Sequence, residues 1–194
     1  PGDRLYATGD RESITRFFKH LGKNTQRLKS ALLIGGGHIS YYLAKIIAGM
    51  GVRLRLIEID EQKCLRLSDQ LDGCTIICAD GTDQETLDTE DVGECGALIC
   101  LTDRDEENII TGMYGARRGA KKVIVKVNRL NTLEVMEDLG IESVVSPKLT
   151  TANVILRSVR ALNNSQNSVV EKVYGMLGGQ VEAYEFTALE GAPY

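Results

Sequence analysis

Short apolar runs alternate along this chain with longer segments in which apolar residues recur every three or four positions. Between residues 28 and 147 the apolar runs have the length and composition of strands buried on both faces of a parallel sheet. The predicted strands are 31–34, a run ending at Glu58, 75–78, 97–101, 122–127 and 142–145.

The segments between these runs have the spacing of amphipathic helices. Predicted helices begin near Ile39, cover 61–71, run from an N-cap at Asp83 to Leu87, follow Asp103 and cover 130–139. Strands that alternate with helices require right-handed crossovers between parallel strands. The predicted fold class is therefore α/β, a Rossmann-like doubly wound parallel sheet of about six strands.

The helix after Asp103 has two predicted features. Asp103 and Glu106 have the spacing of a capping box, and the acidic residues 103 and 105–107 favour capping and compensation of the helix dipole. A cation site built from their carboxylates is the alternative. The predicted buried face of the helix consists of Ile109, Ile110, Met113 and Tyr114.

The segment from Ser30 to Asp60 carries the candidate chemistry. Its order is strand, glycine-rich turn, helix and a second strand that ends in acid. Gly35 allows a tight turn, and Gly37 has no Cβ to keep a pyrophosphate from the backbone N–H groups at the start of the next helix. Glu58 lies at the spacing of an acid that accepts hydrogen bonds from a ribose diol. Because such an acid repels a 2′-phosphate, NAD is favoured over NADP.

One residue departs from the G-x-G-x-x-G pattern of dinucleotide-binding turns. Ser40 stands where the third glycine is expected, and its Cβ and hydroxyl are predicted to crowd the contact between helix and strand. Two interpretations remain open. The turn binds a nucleotide, or it is kept for packing beside an empty crevice.

Composition excludes several classes of protein. The 194 residues carry a net charge of −4, with no basic stripe, which argues against nucleic-acid binding. No apolar run approaches the roughly 20 residues of a membrane span. The five cysteines are interpreted as free thiols, with Cys78 and Cys100 expected to be buried, and two histidines supply little for a metal site.

The two ends fall outside the alternating pattern. Residues 1–22 predict a strand over 4–7 and an amphipathic helix, whereas residues beyond 147 predict a helix over 151–162, a flexible joint NNSQNS and strands over 169–174 and 180–187. Since neither end can bury its own apolar side and there is no initiator Met, we expect a piece of a longer protein. The long helix carries a wide apolar stripe, which either packs on its own sheet or pairs with a second copy: Ala152, Ile155, Leu156, Val159 and Leu162.

Five motifs together resemble the RCK/KTN (TrkA-N) family, the cytoplasmic regulatory subunits of Trk potassium uptake systems. They are GGGHISYYLA, LIEID, CADGTDQETL, the long stretch TDRDEENIITGMYGARRGAKKVIVKVNR and SPKLTTANVILRSVR. The resemblance implies that 1–27 closes a preceding TrkA-C-like subdomain and that 28–147 is the NAD-binding domain of a second module. Residues 148–167 would then form a crossover helix and linker, and 168–194 would begin another, truncated TrkA-C-like subdomain of the α+β type.

The same resemblance implies a nucleotide site that is carried over residue by residue. The glycine turn falls on Gly35, Gly36 and Gly37, with His38 and Ile39 beside the pyrophosphate, and the ribose acid falls on Glu58. The adenosine would be flanked by Asp60 and Lys63 and bordered by Asp80, Gly81 and Thr82. The far edge of the crevice matches Leu101, Thr102 and Asp103. A neutral imidazole at His38 attracts phosphate less than an arginine would, which favours NAD or NADH over ATP or ADP.

The implied function is regulatory. A bound nucleotide would change the angle between paired domains and so gate a membrane-embedded Trk-type potassium transporter, which places the chain in the cytoplasm at the inner face of the cell membrane. Homo-oligomers would form through the crossover helix at Ile155, Val159 and Leu162. The alternative is a fragment of an NAD-dependent oxidoreductase. The flanks are too short for a substrate domain, and neither histidine is placed to act as the acid, so we expect no enzyme.

Overall fold

A computed structural model of the chain describes residues 9–22, 28–129, 141, 143–164, 170–176 and 181–186. Six parallel strands form the central sheet: β1 Ser30–Ile34, β2 Arg53–Glu58, β3 Cys74–Cys78, β4 Ala97–Cys100, β5 Val123–Lys126 and β6 Val144–Val145. Their order is β3-β2-β1-β4-β5-β6. The predicted α/β fold with a Rossmann-like sheet is confirmed.

The described helices alternate with these strands, and several of them pack on the faces of the sheet. They are α1 Arg11–His20, α2 His38–Ala48, α3 Glu61–Gln70, α4 Gln84–Thr89, α5 Asp105–Arg118 and α6 Pro147–Asn164, with a short 3₁₀ turn at Val92–Glu94. An antiparallel hairpin follows, formed by β7 Val170–Met176 and β8 Val181–Phe186. The predicted strand over 4–7, the predicted helix over 130–139 and most of the NNSQNS joint lie outside the described residues.

Two apolar layers cover the two faces of the sheet. Because successive strand residues point to opposite faces, Leu33 and Leu56 pack with Ala44 of α2 and Leu67 of α3. Their sequence neighbours Leu32 and Ile57 point to the other face. There they pack with Leu98 of β4, Leu87 of α4 and Tyr114 of α5. This two-sided burial explains why the first and fourth strands are apolar at almost every position.

Aspartate side chains cap the starts of α1, α3 and α4, and the cap at Asp83 confirms the sequence prediction. Asp60 accepts a hydrogen bond from the Lys63 N–H at 2.9 Å at the start of α3, and Asp83 accepts from the Thr86 N–H at 3.0 Å at the start of α4. The predicted capping box at Asp103 is wrong, because α5 begins at Asp105 and Arg104 occupies the cap position without a side-chain cap hydrogen bond.

The predicted buried face of α5 is right at two of its four positions. Ile109 and Tyr114 are partly buried and pack against the core, whereas Ile110 and Met113 are exposed. The fully buried positions of this helix are the small and polar residues Asp105, Asn108, Thr111, Gly112 and Gly115. A Cβ added at Gly115 would lie 2.2 Å from Leu98 Cδ2, and one added at Gly112 would lie 2.6 Å from Val125 Cγ2. At these two glycines the helix therefore lies too close to the sheet for a larger residue to fit.

Two other expectations about burial change. Cys100 is buried as predicted, but Cys78, the last residue of the edge strand β3, is exposed. The apolar stripe of α6 does not pack on the central sheet. Ile155, Leu156 and Val159 are 58%, 45% and 47% exposed.

The close approach of α5 predicts a strong effect of Gly115→Ala. The new methyl group has to displace the buried Leu98 side chain, and we expect the free energy of unfolding to fall by about 1–3 kcal/mol despite the better helix propensity of alanine. Urea denaturation followed by circular dichroism measures this change. Gly37→Ala is the matched control, since a Cβ there meets nothing within 4 Å. Equal stability of both variants would contradict the close packing.

Candidate functional site

A cleft of about 1060 Å³ opens at the carboxyl ends of the central strands. It lies where the strand order reverses, between β1 and β4. Crossover helices leave β1 and β4 toward opposite faces of the sheet, which separates the loops above them. The glycine-rich turn after β1 lies at the centre of this opening.

The glycine turn depends on close contacts between backbone segments. Gly35 adopts a φ of +94°, in the region that favours glycine, and a Cβ there would lie 3.1 Å from both Cα and N of Thr102. The Leu101 N–H donates to the Ile34 carbonyl oxygen at 2.8 Å, which fixes the end of β4 beside the end of β1. The turn is thereby clamped between two strands.

Gly37 is the open position of the turn. It caps α2 with an extended backbone and has no side chain that could occupy the orphan N–H groups of the first helical turn. A Cβ at Gly37 would meet nothing within 4 Å, so the space in front of the helix is free. The first turn of α2 holds no acidic residue. This end of the helix is thus suited to an anion.

Ser40 does not crowd the contact between helix and strand as the sequence suggested. It is fully buried, and its hydroxyl donates a hydrogen bond to the Gly35 carbonyl oxygen. The serine therefore finds both space and a polar partner, and it ties the first turn of α2 back to the glycine turn.

Glu58 lies buried at the carboxyl end of β2 and faces the glycine turn. Its Oε2 accepts a hydrogen bond from the Gly36 N–H at 2.7 Å, and its Oε1 accepts one from the Asp60 N–H at 2.9 Å. Lys63 Nζ lies 3.9 Å from Oε1. Each carboxylate oxygen can accept a second hydrogen bond, so the group is held in place while acceptor capacity remains.

The structure brings thirteen of the fourteen predicted site residues to the lining of this one cleft. They are Gly35, Gly36, Gly37, His38, Ile39, Glu58, Lys63, Asp80, Gly81, Thr82, Leu101, Thr102 and Asp103. Asp60 is not among the lining residues, because its carboxylate faces the N-terminus of α3 as a cap. The assignment of binding roles to these residues stays a prediction.

The loop after β3 supplies one side of the cleft. Asp80 Oδ1 accepts from the Thr82 N–H at 2.9 Å and from the Thr82 hydroxyl at 2.7 Å, and these bonds lower the pKa of Asp80. Gly81 is buried, since a Cβ there would lie 2.6 Å from Ile34 Cγ2. The loop therefore presents an ionised, oriented carboxylate at the edge of the cleft.

Asn108 and Asp105 hold the far wall, and the sequence analysis did not identify either of them as a wall residue. The Asn108 amide donates to the carbonyl oxygens of Thr102 at 2.9 Å and Lys126 at 3.0 Å, which joins the loop after β4 to the end of β5. Its Oδ1 accepts from the Thr102 N–H and hydroxyl. Asp105 accepts from the N–H groups of Asn128 and Arg129, both at 2.9 Å.

The acidic start of α5 is neutralised by neighbouring cations, which the sequence spacing did not indicate. Lys126 is 5% exposed and donates from Nζ to Asp103 Oδ1 at 2.9 Å, and this contact lowers the pKa of Asp103. Arg104 pairs with Glu107 at 2.5 Å. Lys126, Arg104 and Arg66 also line the cleft, and Arg129 pairs with Glu106. These ion pairs therefore reduce the repulsion that the carboxylates would exert on a phosphate.

The part of the chain that the structure describes contains neither a cluster of metal ligands nor a membrane-spanning helix. No group of three or more His, Cys, Asp or Glu side chains there could hold a metal ion. No helix among the described residues is long and apolar enough to cross a membrane.

The buried carboxylate of Asp105 predicts a pH-dependent stability. Burial pushes the pKa of Asp105 upward, but hydrogen bonds from Asn128 and Arg129 outweigh it, so the pKa lies below the usual 3.8. Because the pKa of Asp105 is lower in the folded chain than in the unfolded chain, the ionised carboxylate stabilises the fold at any pH above the pKa of the unfolded chain. This stabilisation is lost as the pH falls through the pKa of the folded chain. In Asp105→Asn, one of the two carboxylate oxygens, which accept from the N–H groups of Asn128 and Arg129, is replaced by an NH2 group, which can only donate. We expect the free energy of unfolding to fall by about 2 kcal/mol at pH 7.

Urea denaturation of wild type and Asp105→Asn between pH 7 and pH 3 measures this effect. The difference between the two proteins should narrow below pH 3.8, the unfolded value, as the wild-type carboxylate takes up its proton. Glu106→Gln is the control, since this exposed residue should change stability by less than about 0.5 kcal/mol. A difference that is independent of pH would refute the account of Asp105.

Comparison with known proteins places the chain in a family. The sequence model of the TrkA-N domain matches residues 31–147. The chain is 30% identical over 189 residues to the Trk system potassium uptake protein trkA homolog 1 of Methanosarcina mazei, covering 97% of this chain and 45% of that relative. It thus spans less than half the length of the curated relatives it matches.

Two solved structures have the same fold. The TrkA-N domain of the inner membrane protein YbaL from Escherichia coli matches with a TM-score of 0.60 at 16% identity, covering 68% of this chain and 97% of that one. The GsuK channel bound to NAD matches with a TM-score of 0.54 at 16% identity, covering 69% of this chain and 25% of that one. Since the family model spans more than half of its residues, this chain belongs to the TrkA-N domain family.

Proposed function

We propose that the cleft binds an adenine dinucleotide, NAD or NADH, and that the chain senses this ligand without transforming it. The observation that carries the proposal is the open backbone corner at Gly37, which lies between the N-terminus of α2 and the buried carboxylate of Glu58. The N–H groups at the N-terminus of α2 are suited to a pyrophosphate, and the carboxylate of Glu58 is suited to the two hydroxyls of a ribose.

The remaining lining residues divide along this ligand. Gly35, Gly36, His38 and Ile39 would surround the pyrophosphate. Glu58 would accept from the ribose hydroxyls with the lone pairs that Gly36 and Asp60 leave free. Lys63 and the Asp80–Thr82 loop would border the adenosine, with Asp60 acting only through its cap on α3, and Leu101, Thr102 and Asp103 would border the opposite half.

The choice of NAD or NADH rests on charge. Glu58 carries its negative charge where a 2′-phosphate would have to sit, which disfavours NADP. His38 supplies no permanent positive charge for the γ-phosphate of ATP. GsuK channel structures of the same fold are bound to NAD and to ADP, which supports an adenine nucleotide as the class of ligand. ATP or ADP is the alternative for the same cleft, and Lys126 and Arg104 on the far wall are the cations that would favour it.

For the whole protein we propose a cytoplasmic regulatory subunit of a Trk-type potassium transporter, lying at the inner face of the cell membrane. Relatives that match along almost the full chain are Trk system potassium uptake proteins. Within it, 28–147 would be the nucleotide-binding domain of a second module, with 1–27 and 168–194 belonging to TrkA-C-like subdomains and 148–167 linking them. The nucleotide regulates only if its affinity differs between two arrangements of the protein.

We also propose that α6 pairs two copies of the chain. Ile155, Leu156 and Val159 are about half exposed on a helix of 18 residues. A stripe of this kind is more apolar than a linking helix needs, and a two-fold axis perpendicular to the helix would pack it against the same stripe of a second copy. The third predicted contact, Leu162, has a side chain outside the described residues.

The nucleotide proposal is tested by calorimetric titration of the chain with NAD, NADH, ATP and ADP. We expect NAD or NADH to bind most tightly, and Gly37→Val to abolish binding because its side chain fills the space for the pyrophosphate. The variant should still fold, since its Cβ has no neighbour within 4 Å and the backbone there is extended. Glu58→Gln should weaken binding about tenfold through loss of charged hydrogen bonds.

Gly49→Val at the other end of α2 is the matched control and should bind as wild type does. Unchanged affinity in Gly37→Val would place the ligand elsewhere, and no binding of any adenine nucleotide would favour the empty crevice. Oxidation of an alcohol or reduction of a keto acid by the chain with NAD or NADH would instead support the oxidoreductase alternative.

The pairing proposal is tested by the double variant Ile155→Asp, Val159→Asp. Two carboxylates in the stripe would have to be buried unpaired at the contact, so the variant should be a monomer in sedimentation or light-scattering experiments. Ser158→Asp, on the same helix but outside the stripe, is the control. A wild-type chain that is itself monomeric at micromolar concentration, or a variant with unchanged mass, would argue against pairing through α6.

A further inference from the structure

Two cysteines lie immediately behind Glu58. Cys64 is buried in α3, and Cys78 is exposed at the end of β3, where it is the strand partner of Glu58. The Cys64 thiol donates a hydrogen bond to the Glu58 carbonyl oxygen at 3.2 Å. The same oxygen accepts the Ala79 N–H at 3.1 Å, so the backbone next to Cys78 and the sulfur of Cys64 meet at one atom.

The two cysteines therefore flank the same carbonyl group of Glu58. Burial and the neighbouring Cys78 side chain raise the pKa of Cys64 to about 12, so Cys64 is a protonated thiol at neutral pH. Cys78 is open to a dissolved reagent, while Cys95 and Cys100 are buried. One accessible thiol therefore has a second thiol as its immediate neighbour, an arrangement suited to disulfide formation.

We propose that Cys64 and Cys78 form a reversible intramolecular disulfide, a redox-modification site at the back of the nucleotide cleft. The oxidant is a peroxide. The Cys78 sulfur attacks one peroxide oxygen and becomes a sulfenic acid, and the other oxygen leaves as water. The Cys64 sulfur then displaces the sulfenic hydroxyl, which takes up the Cys64 proton and leaves as a second water. One peroxide is reduced for each pair of thiols oxidised.

The disulfide would act on Glu58. An S–S bond of about 2.05 Å draws α3 toward β3 and removes the S–H group that donates to the Glu58 carbonyl oxygen. Glu58 is the residue whose carboxylate joins Gly36 to Asp60 at the start of α3. The oxidised chain should therefore bind NADH about fivefold more weakly, which is the effect of one lost hydrogen bond. This expectation rests on the nucleotide-binding function proposed above.

Peptide mapping tests the disulfide directly. The chain is treated with hydrogen peroxide, its remaining thiols are blocked with N-ethylmaleimide, and it is digested with trypsin without reductant. Cleavage after Lys63 and Arg66 places Cys64 in peptide 64–66, whereas the other four cysteines lie in peptide 67–104. We expect these two peptides to be joined by a bond that dithiothreitol reverses.

Two serine variants identify the partner of Cys64. Cys78→Ser should abolish the joined peptide, and Cys74→Ser, at the opposite end of the same strand, should retain it. Loss of the joined peptide in Cys74→Ser, or its absence from the oxidised wild type, overturns the proposal. This outcome does not depend on whether a nucleotide binds.

Titration with NADH before and after peroxide treatment tests the consequence for the cleft. The affinity of wild type should fall on oxidation and recover with dithiothreitol, whereas that of Cys78→Ser should not change. A joined peptide with unchanged NADH affinity overturns the coupling to Glu58. If the reduced wild type binds no nucleotide, the function proposed above fails while the disulfide is still decided by the peptide map.

Discussion

The hydrogen bond between the Gly36 N–H and the Glu58 carboxylate is the contact on which the cleft depends. It joins the turn after β1 to the end of β2 at 2.7 Å, and it brings a buried negative charge beside the N-terminus of α2. A Cβ at Gly36 would lie 2.9 Å from Glu58 Oε2 and 2.6 Å from Leu67 Cδ1, so only glycine permits this approach. The second carboxylate oxygen fixes the start of α3 through Asp60. One side chain thus positions the turn, the strand and the next helix.

The far wall is held by a different kind of contact. Asn108 and Asp105 are buried polar residues that satisfy backbone groups beyond the ends of β4 and β5. Buried polar groups of this kind cost free energy unless every partner is present, which makes the wall rigid once it is formed. Lys126 therefore lines the cleft in a fixed position. Its partner is the carboxylate of Asp103, which is exposed, so water competes with Lys126 for hydrogen bonds to it.

The sequence predicts the sheet well because its signal is repeated in every strand. Apolar runs mark the strands, and Asp83 marks a helix start by a local hydrogen bond to a backbone group three residues later. The errors occur where distance in space decides. The burial of Gly112 and Gly115 and the exposure of Ile110 follow from how close α5 lies to the sheet, which periodicity cannot show. Ser40 finds its partner in the Gly35 carbonyl oxygen, and Asp103 finds Lys126 across 23 residues.

The two walls of the cleft touch at the glycine turn, where Gly35 meets the backbone of Thr102. Glu58 and the start of α3 belong to one wall, and Asn108, Asp105 and Lys126 belong to the other. A ligand that contacts both walls binds more tightly at one particular distance between the walls, so it stabilises that arrangement. A ligand that contacts only the wall of Glu58 binds equally well at any distance and stabilises none. A dinucleotide has one ribose on each side of its pyrophosphate, and it is long enough to contact both walls of the cleft. The arrangement of the walls therefore favours a ligand with two halves for any regulatory role of this cleft.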